Sequence, residues 1–207
     1  ITSGDVARNL IKSELIYAND SSISIYHLGN SNVHKAILKD LNYKIVNKLD
    51  EANFFLLSLH LEEEQDTTEY DHIFNEIAEK EITTICVNPD KTIPVNGRIR
   101  YCPGYFAEKI EQFGGKVIYT GKPHSEIFKL ALEKEKSIPR NKFLMIGDTL
   151  ETDIMGSYNI GIHSALVLTG NSSKFHHHLL KMEDKIRAIS KIAKKLNIIP
   201  TYLTTIA

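Results

Sequence analysis

Cysteine is scarce here: Cys86 and Cys102 are the only two in 207 residues. They form no CxxC or Cys/His spacing of the kind that holds zinc. Both lie in or beside apolar, strand-like stretches, where a reduced thiol behaves as a small hydrophobe, so the expected compartment is reducing and cytoplasmic. An excess of one charge is lacking too. With 25 Lys+Arg against 26 Asp+Glu, the net charge is −1, which argues against nucleic acid or an anionic membrane as partner. There is no run of about eighteen apolar residues and no charged-then-apolar leader. GxGxxG and GxxxxGK[ST] phosphate loops are missing as well, which removes Rossmann dehydrogenases and P-loop NTPases. Internal repeats and low-complexity segments are absent.

What is present is a 42% hydrophobic chain, enough for one large domain or two modest ones. Apolar periodicity alternates along it. Helices are expected at Asp5–Ala18 (apolar face Ala7, Leu10, Ile11, Leu15, Ile16), 32–41, 68–80, 104–113, 124–135, 151–159 and 183–196. The last carries a stripe of Ile186, Ile189, Ile192 and Leu196. Strands are expected at 23–28, 43–46, 54–60, 83–87, 117–120, 143–146 and 164–168, with a short hairpin before Tyr101. Strands alternating with helices imply βαβ units and parallel sheets, an α/β fold. The breaker Tyr101-Cys102-Pro103-Gly104 suggests two units, one of residues 21–101 and one of residues 1–20 with 102–207. The acidic stretch Glu62–Asp66 reads as a solvated loop. His176-His177-His178 reads as a solvated face, because neighbours on a helix point different ways. His34, His60, His72 and His163 are scattered and suggest no zinc site.

Ligands of parallel α/β sheets bind outside the carboxyl ends of the strands. Two loops there carry reactive side chains: Thr120-Gly121-Lys122-Pro123-His124, and Gly147-Asp148-Thr149-Leu150-Glu151-Thr152-Asp153. Lys122 places a compact positive charge at a strand end; taken alone, it reads first as a surface lysine before a helix. Asp148 could cap the following helix, with Glu151 completing a capping box. Capping needs one carboxylate, however, and the turn crowds Asp148, Glu151 and Asp153 together. Such crowding calls for a cation, and oxygen ligands at such a turn suit Mg²⁺ with waters and a phosphate.

These two loops, in this order, resemble the third and fourth motifs of the haloacid dehalogenase-like phosphatases. The GKPH and GDxxxTD forms are similar to the class II, subclass A branch of NagD-type nucleotidases and p-nitrophenyl phosphatases. Val87-Asn88-Pro89-Asp90, Gly97 and Pro103-Gly104 resemble that branch's passage from cap to core, and Thr2-Ser3-Gly4-Asp5 the start of the helix before the cap. The resemblance implies a Rossmann-like three-layer core with a parallel sheet (residues 1–20 and 102–207) and an inserted α/β cap domain (residues 21–101). It implies Mg²⁺ as cofactor, a small phosphorylated substrate and an aspartyl-phosphate intermediate. By the same resemblance, Asp148 binds the metal, Lys122 neutralises phosphoryl charge, and Asp153 orients the metal shell or holds Lys122. Asn88 and Asp90 are candidates to face substrate, although an ordinary Asn-Pro-Asp turn is an equal reading.

One departure stands out. The family's DxDG motif, whose first Asp attacks phosphorus, has no counterpart among the 207 residues, and the second-motif Ser/Thr is also missing. The expectation is a chain lacking an N-terminal segment and therefore its nucleophile, silent in turnover as it stands. The alternative is a non-catalytic binding or regulatory protein with the same fold; a phosphorylation-dependent receiver is weaker, since an inserted domain counts against it. Homo-oligomer formation stays open.

Overall fold

The computed structural model describes residues 1–17, 22–179 and 181–205. The chain divides into two compact units, Ile1–Gly121 and Lys122–Ala207. The first begins with α1 (Ser3–Tyr17), whose anticipated end at Ala18 lies outside the described residues, as do the side chains of Leu15 and Ile16. Then follow β1 (Ile23–Gly29), α2 (Ser31–Ile37), β2 (Tyr43–Val46), β3 (Phe54–Ser58), β4 (Leu61–Glu62) and α3 (Asp71–Glu79). The unit closes with β5 (Thr84–Cys86), β6 (Thr92–Val95), β7 (Arg98–Tyr101), α4 (Pro103–Gln112) and β8 (Val117–Tyr119).

A five-stranded sheet in the order β2-β1-β3-β5-β8 organises this unit, and every pairing in it is parallel. Its middle strands are covered on both faces, which is why β3 reads as an unbroken apolar run rather than an alternation. Successive side chains point to opposite faces. Phe55, Leu57 and Cys86 meet Phe74 and Ile77 of α3 and Phe106, Ala107 and Ile110 of α4. Leu56 and Ile85 meet Ala7 and Ile11 of α1 and Ile37 of α2 on the other side. These contacts move the boundary from the expected 101–104 to 121/122: α4 buries its apolar face under this sheet, and β8 extends it by pairing with β5. Residues 102–121 and α1 therefore pack with the first unit rather than with the chain that follows.

A small antiparallel sheet in the order β4-β7-β6 completes the first unit. Its hairpin turns at Asn96-Gly97, both left-handed (φ 51° and 78°), the geometry that matches strand twist in a two-residue loop. The acidic stretch Glu62–Asp66 is exposed throughout and turns after Glu62, as expected of a solvated loop, and its glutamates bond across the small sheet. Glu62 lies in β4 and pairs with Arg100, Glu64 pairs with Arg98, and Glu63 accepts the Ile99 amide.

The second unit contains α5 (Ser125–Leu132), β9 (Leu144–Gly147), α6 (Met155–Ile160), β10 (His163–Val167), α7 (Met182–Lys195) and β11 (Tyr202–Thr204). Its sheet is parallel, in the order β11-β10-β9. Leu150, Ile154, Leu166, Leu168, Ile189, Ala193 and Ile198 form its core. Ile186, expected in the buried stripe of α7, is 41% exposed. β11 was not anticipated: three residues after a proline carry too little periodicity to read as a strand. His176 is buried rather than solvated, with neither ring nitrogen hydrogen-bonded, whereas His177 and His178 are exposed.

Both cysteines are buried and free. Burial pushes the Cys86 thiol up to about 12 and that of Cys102 to about 11, so each stays a protonated hydrophobe at neutral pH. Among the described residues, no helix is long and apolar enough to cross a membrane.

Candidate active site

The polar centre of the second unit grows out of the turn after β9. Gly147 ends the strand, and a Cβ there would stand 2.2 Å from Asp153 Cγ. Only glycine lets that carboxylate approach so closely. The chain then enters a wide π-helical turn, Leu150–Ile154, before α6 begins. Such turns occur mostly as single local widenings, often at functional sites. Here the turn brings the Asp153 carboxylate back over the amides at its own start.

Asp153 is 3% exposed, and a charge so enclosed needs nearly full compensation. It has three donors. Asp153 Oδ1 takes the Lys122 ammonium at 2.5 Å. Oδ2 accepts the backbone N–H groups of Asp148 and Thr149, each at 3.1 Å. Lys122 therefore bridges the loop before α5 to the turn after β9, its side chain still 41% exposed while that of Asp153 is 5% exposed. The lysine keeps a face toward water with donors to spare.

Asp148 is held differently. Oδ1 accepts the Thr149 hydroxyl at 3.2 Å, and Oδ2 accepts the Asn171 backbone N–H at 2.7 Å. Each carboxylate oxygen has two acceptor positions, so Asp148 retains one open on each, whereas both positions of Asp153 Oδ2 are filled. The two acids have separated into a ligand-capable carboxylate and an organising one. Asp148 makes no capping hydrogen bond; the residue before the turn is Thr149, without a side-chain cap, and Glu151 is exposed. The crowding of three acids is relieved by turning Glu151 out to solvent and Asp153 in to the lysine.

Lys122, Asp148 and Asp153 thus meet within one unit, as their spacing suggested. Asn88 and Asp90 belong to the other. Asn88 Oδ1 accepts the Asp90 amide at 3.1 Å, and Asp90 O accepts the Gly104 amide at 3.1 Å. That turn joins the end of β5 to the start of α4. Reasoning from the sequence missed Thr149 and Asn171. A signal was available: β10 pairs in parallel beside β9, with Gly147 opposite Leu166, so the loop after β10 opens at the same sheet edge as the acidic turn. Among the described residues, no group of three or more His, Cys, Asp or Glu is arranged to hold a metal ion by itself. Asp148 offers an open position on each carboxylate oxygen, which fits a cation such as Mg²⁺ that keeps most of its water.

The HAD-hydrolase-like family model matches residues 119–196, the span that holds Lys122, Asp148, Thr149, Asp153 and Asn171. Ribonucleotide monophosphatase NagD of Escherichia coli is 36% identical over 91 residues, 43% of this chain and 34% of NagD. An acid sugar phosphatase of Staphylococcus aureus is 28% identical over 170 residues, 81% of this chain and 63% of that protein. In sequence and in fold the chain is similar to the haloacid dehalogenase-like hydrolases, in their NagD-like class II branch. A hydrolase of this family from Brucella suis superposes with a TM-score of 0.70 at 28% identity, over 82% of this chain and 64% of that one. The chain thus spans between about a third and under two thirds of the length of these relatives. The family's phosphatases share the α/β architecture with a cap domain, and NagD and the acid sugar phosphatase are named for phosphorylated substrates.

Proposed function

We propose that this chain carries the charge-handling half of a Mg²⁺-dependent phosphatase that acts on a small phosphorylated metabolite through an aspartyl-phosphate. The observation that supports this most is the division of labour between two neighbouring carboxylates: Asp153 is spent on Lys122 and two amides, while Asp148 keeps open acceptor positions. Lys122 lies against the transferring phosphoryl group and offsets its negative charge, with Asp153 fixing the ammonium at that spot. Asp148 is the residue that holds the cation, which when bound draws charge from the phosphoryl oxygens. The first unit, residues 1–121, takes the part of the cap, selecting the leaving group, with Asn88 and Asp90 as its substrate contacts.

None of these side chains attacks phosphorus in this reading; lysine and both acids assist only electrostatically. No DxD pair occurs in the sequence. The attacking aspartate and its acid/base neighbour are therefore contributed from outside these 207 residues. The test compares this chain with an N-terminally extended form bearing a DxD pair, on p-nitrophenyl phosphate, with and without Mg²⁺. Turnover is expected only from the extended form with Mg²⁺, and losing the nucleophile lowers the rate by several orders of magnitude. Equal turnover by both overturns the reading. A silent extended form that still binds phosphate favours the non-catalytic binding protein.

A further inference from the structure

We infer that the Gly170–Asn171 elbow after β10, together with the Thr149 hydroxyl, is the device that orients the Asp148 carboxylate. It leaves one acceptor position on each oxygen open toward a divalent cation. The inference rests on the cation role proposed for Asp148, and it adds Gly170 and Asn171, which neither motif contains.

Three hydrogen bonds form a closed loop around Asp148. Asn171 N–H donates to Asp148 Oδ2 at 2.7 Å, the Asn171 side-chain amide donates to Thr149 Oγ1 at 3.1 Å, and the Thr149 hydroxyl donates to Asp148 Oδ1 at 3.2 Å. The hydroxyl has one proton, so by accepting from Asn171 it is left free to point that proton at the carboxylate. Asn171 therefore acts on both oxygens, directly on one and through Thr149 on the other. The short backbone contact depends on the residue before it. Gly170 has φ +60°, and a Cβ there would lie 2.0 Å from Asp148 Oδ2. Any side chain at this position would be strained by the left-handed backbone and would push the carboxylate aside. The elbow is itself braced: Ser173 Oγ donates to Gly170 O at 2.6 Å and Ser172 Oγ donates to Val167 O at 2.6 Å.

A carboxylate fixed by neutral donors keeps its charge for a ligand, whereas one paired with lysine has already surrendered it. That contrast separates Asp148 from Asp153. Groups that orient a metal ligand typically change metal affinity by about 10–100-fold when removed. Gly170→Ala, Asn171→Ala and Thr149→Val are thus positioning changes, each leaving Asp148 in place.

The test has two arms. In the first, without metal, the exchange rate of the Asn171 amide is followed by NMR in the unaltered chain and in Asp148→Ala. Slow exchange is expected in the unaltered chain, accelerating about tenfold or more in the variant; equal rates overturn the orienting role. In the second, Mn²⁺ affinity is read from water-proton relaxation. Gly170→Ala and Thr149→Val should raise the Mn²⁺ Kd about tenfold or more, Thr149→Ser should restore it, and Asp148→Asn should abolish binding. Unchanged Kd in Gly170→Ala and Thr149→Val, with their melting temperatures intact, overturns the inference while the cation role stands. Failure of the unaltered chain to take up Mn²⁺ overturns the cation role, and the orienting role is then decided by the exchange arm alone.

Discussion

The two units place their buried polar groups in opposite ways. In the first, the central sheet is sealed by apolar side chains on both faces, with Phe55, Leu56 and Leu57 all at 0% exposure. In the second, the strand that leads to the site stays open, Leu144 and Ile146 being 48% and 54% exposed. There the most enclosed charge is a carboxylate saturated by a lysine and two amides. The first unit's sheet is held by area removed from water, whereas the second unit adds to its own apolar core a turn held by electrostatic satisfaction. Packing stabilises without specifying chemistry, whereas a buried acid must be matched donor by donor, and the matching lays out a site.

The sharpest way to break the comparison is to cut each unit at its own kind of support. Phe55→Ala removes a ring packed between α3 and α4, and such truncations cost about 3–5 kcal/mol. We expect this to be the largest effect, read as a drop in chemical-denaturation midpoint and as loss of amide protection in β1, β3 and β5. Asp153→Ala leaves the amides of Asp148 and Thr149 without their acceptor, and releases Lys122 to solvent. Unsatisfied buried donors cost about 1–3 kcal/mol, so the expected loss is smaller than for Phe55→Ala, with exchange accelerating at residues 148 and 149. Protection unchanged at those two amides would show that the acid is not what holds the turn.

Much of this contrast could be read from the sequence, and its limits have physical reasons. Apolar runs located the strands of the two parallel sheets, β11 excepted, to within a residue or two, because a strand covered by helices leaves a short apolar run bounded by turn residues. The GKP and GDxxxTD spacings brought Lys122, Asp148 and Asp153 together correctly. What escaped was whatever depends on backbone groups or on distant pairing. The Asn171 amide carries no residue-type signal, and the division of roles between Asp148 and Asp153 follows from a π-helical turn that periodicity does not register. The unit boundary escaped for a related reason. Pro103-Gly104 looks like a breaker, yet it begins α4 with Pro at its first position, which is a helix start as much as a linker. Its buried face commits that helix to the sheet before it.

The smallest expected effect concerns a polar group inside the apolar unit, and it asks whether that unit is purely apolar in its response. His27 on β1 and His34 on α2 approach Nδ1 to Nδ1 at 2.9 Å, while His27 Nε2 lies 2.8 Å from Ser58 Oγ. A single proton can occupy the bridge, so a second protonation sets two N–H groups against each other. Burial first, and then the neighbouring His34, holds His27 down to about 4; burial and Lys35 hold His34 below its usual range. Both folded values lie below the unfolded value near 6.5. Between about 6.5 and 4 the unfolded chain therefore binds more protons, and stability falls as pH falls through that window. Above about 6.5 the contribution is complete. The acids whose folded values are depressed, Asp5, Asp66 and Glu126, withdraw their support only below their ordinary carboxylate range, so the interval from 6.5 to 5 isolates the histidines. Melting temperature should decline by a few degrees across that interval and flatten in His27→Gln. A flat profile in the unaltered chain would mean that the pair opens to water freely, and the first unit would then respond to pH no differently from a wholly apolar core.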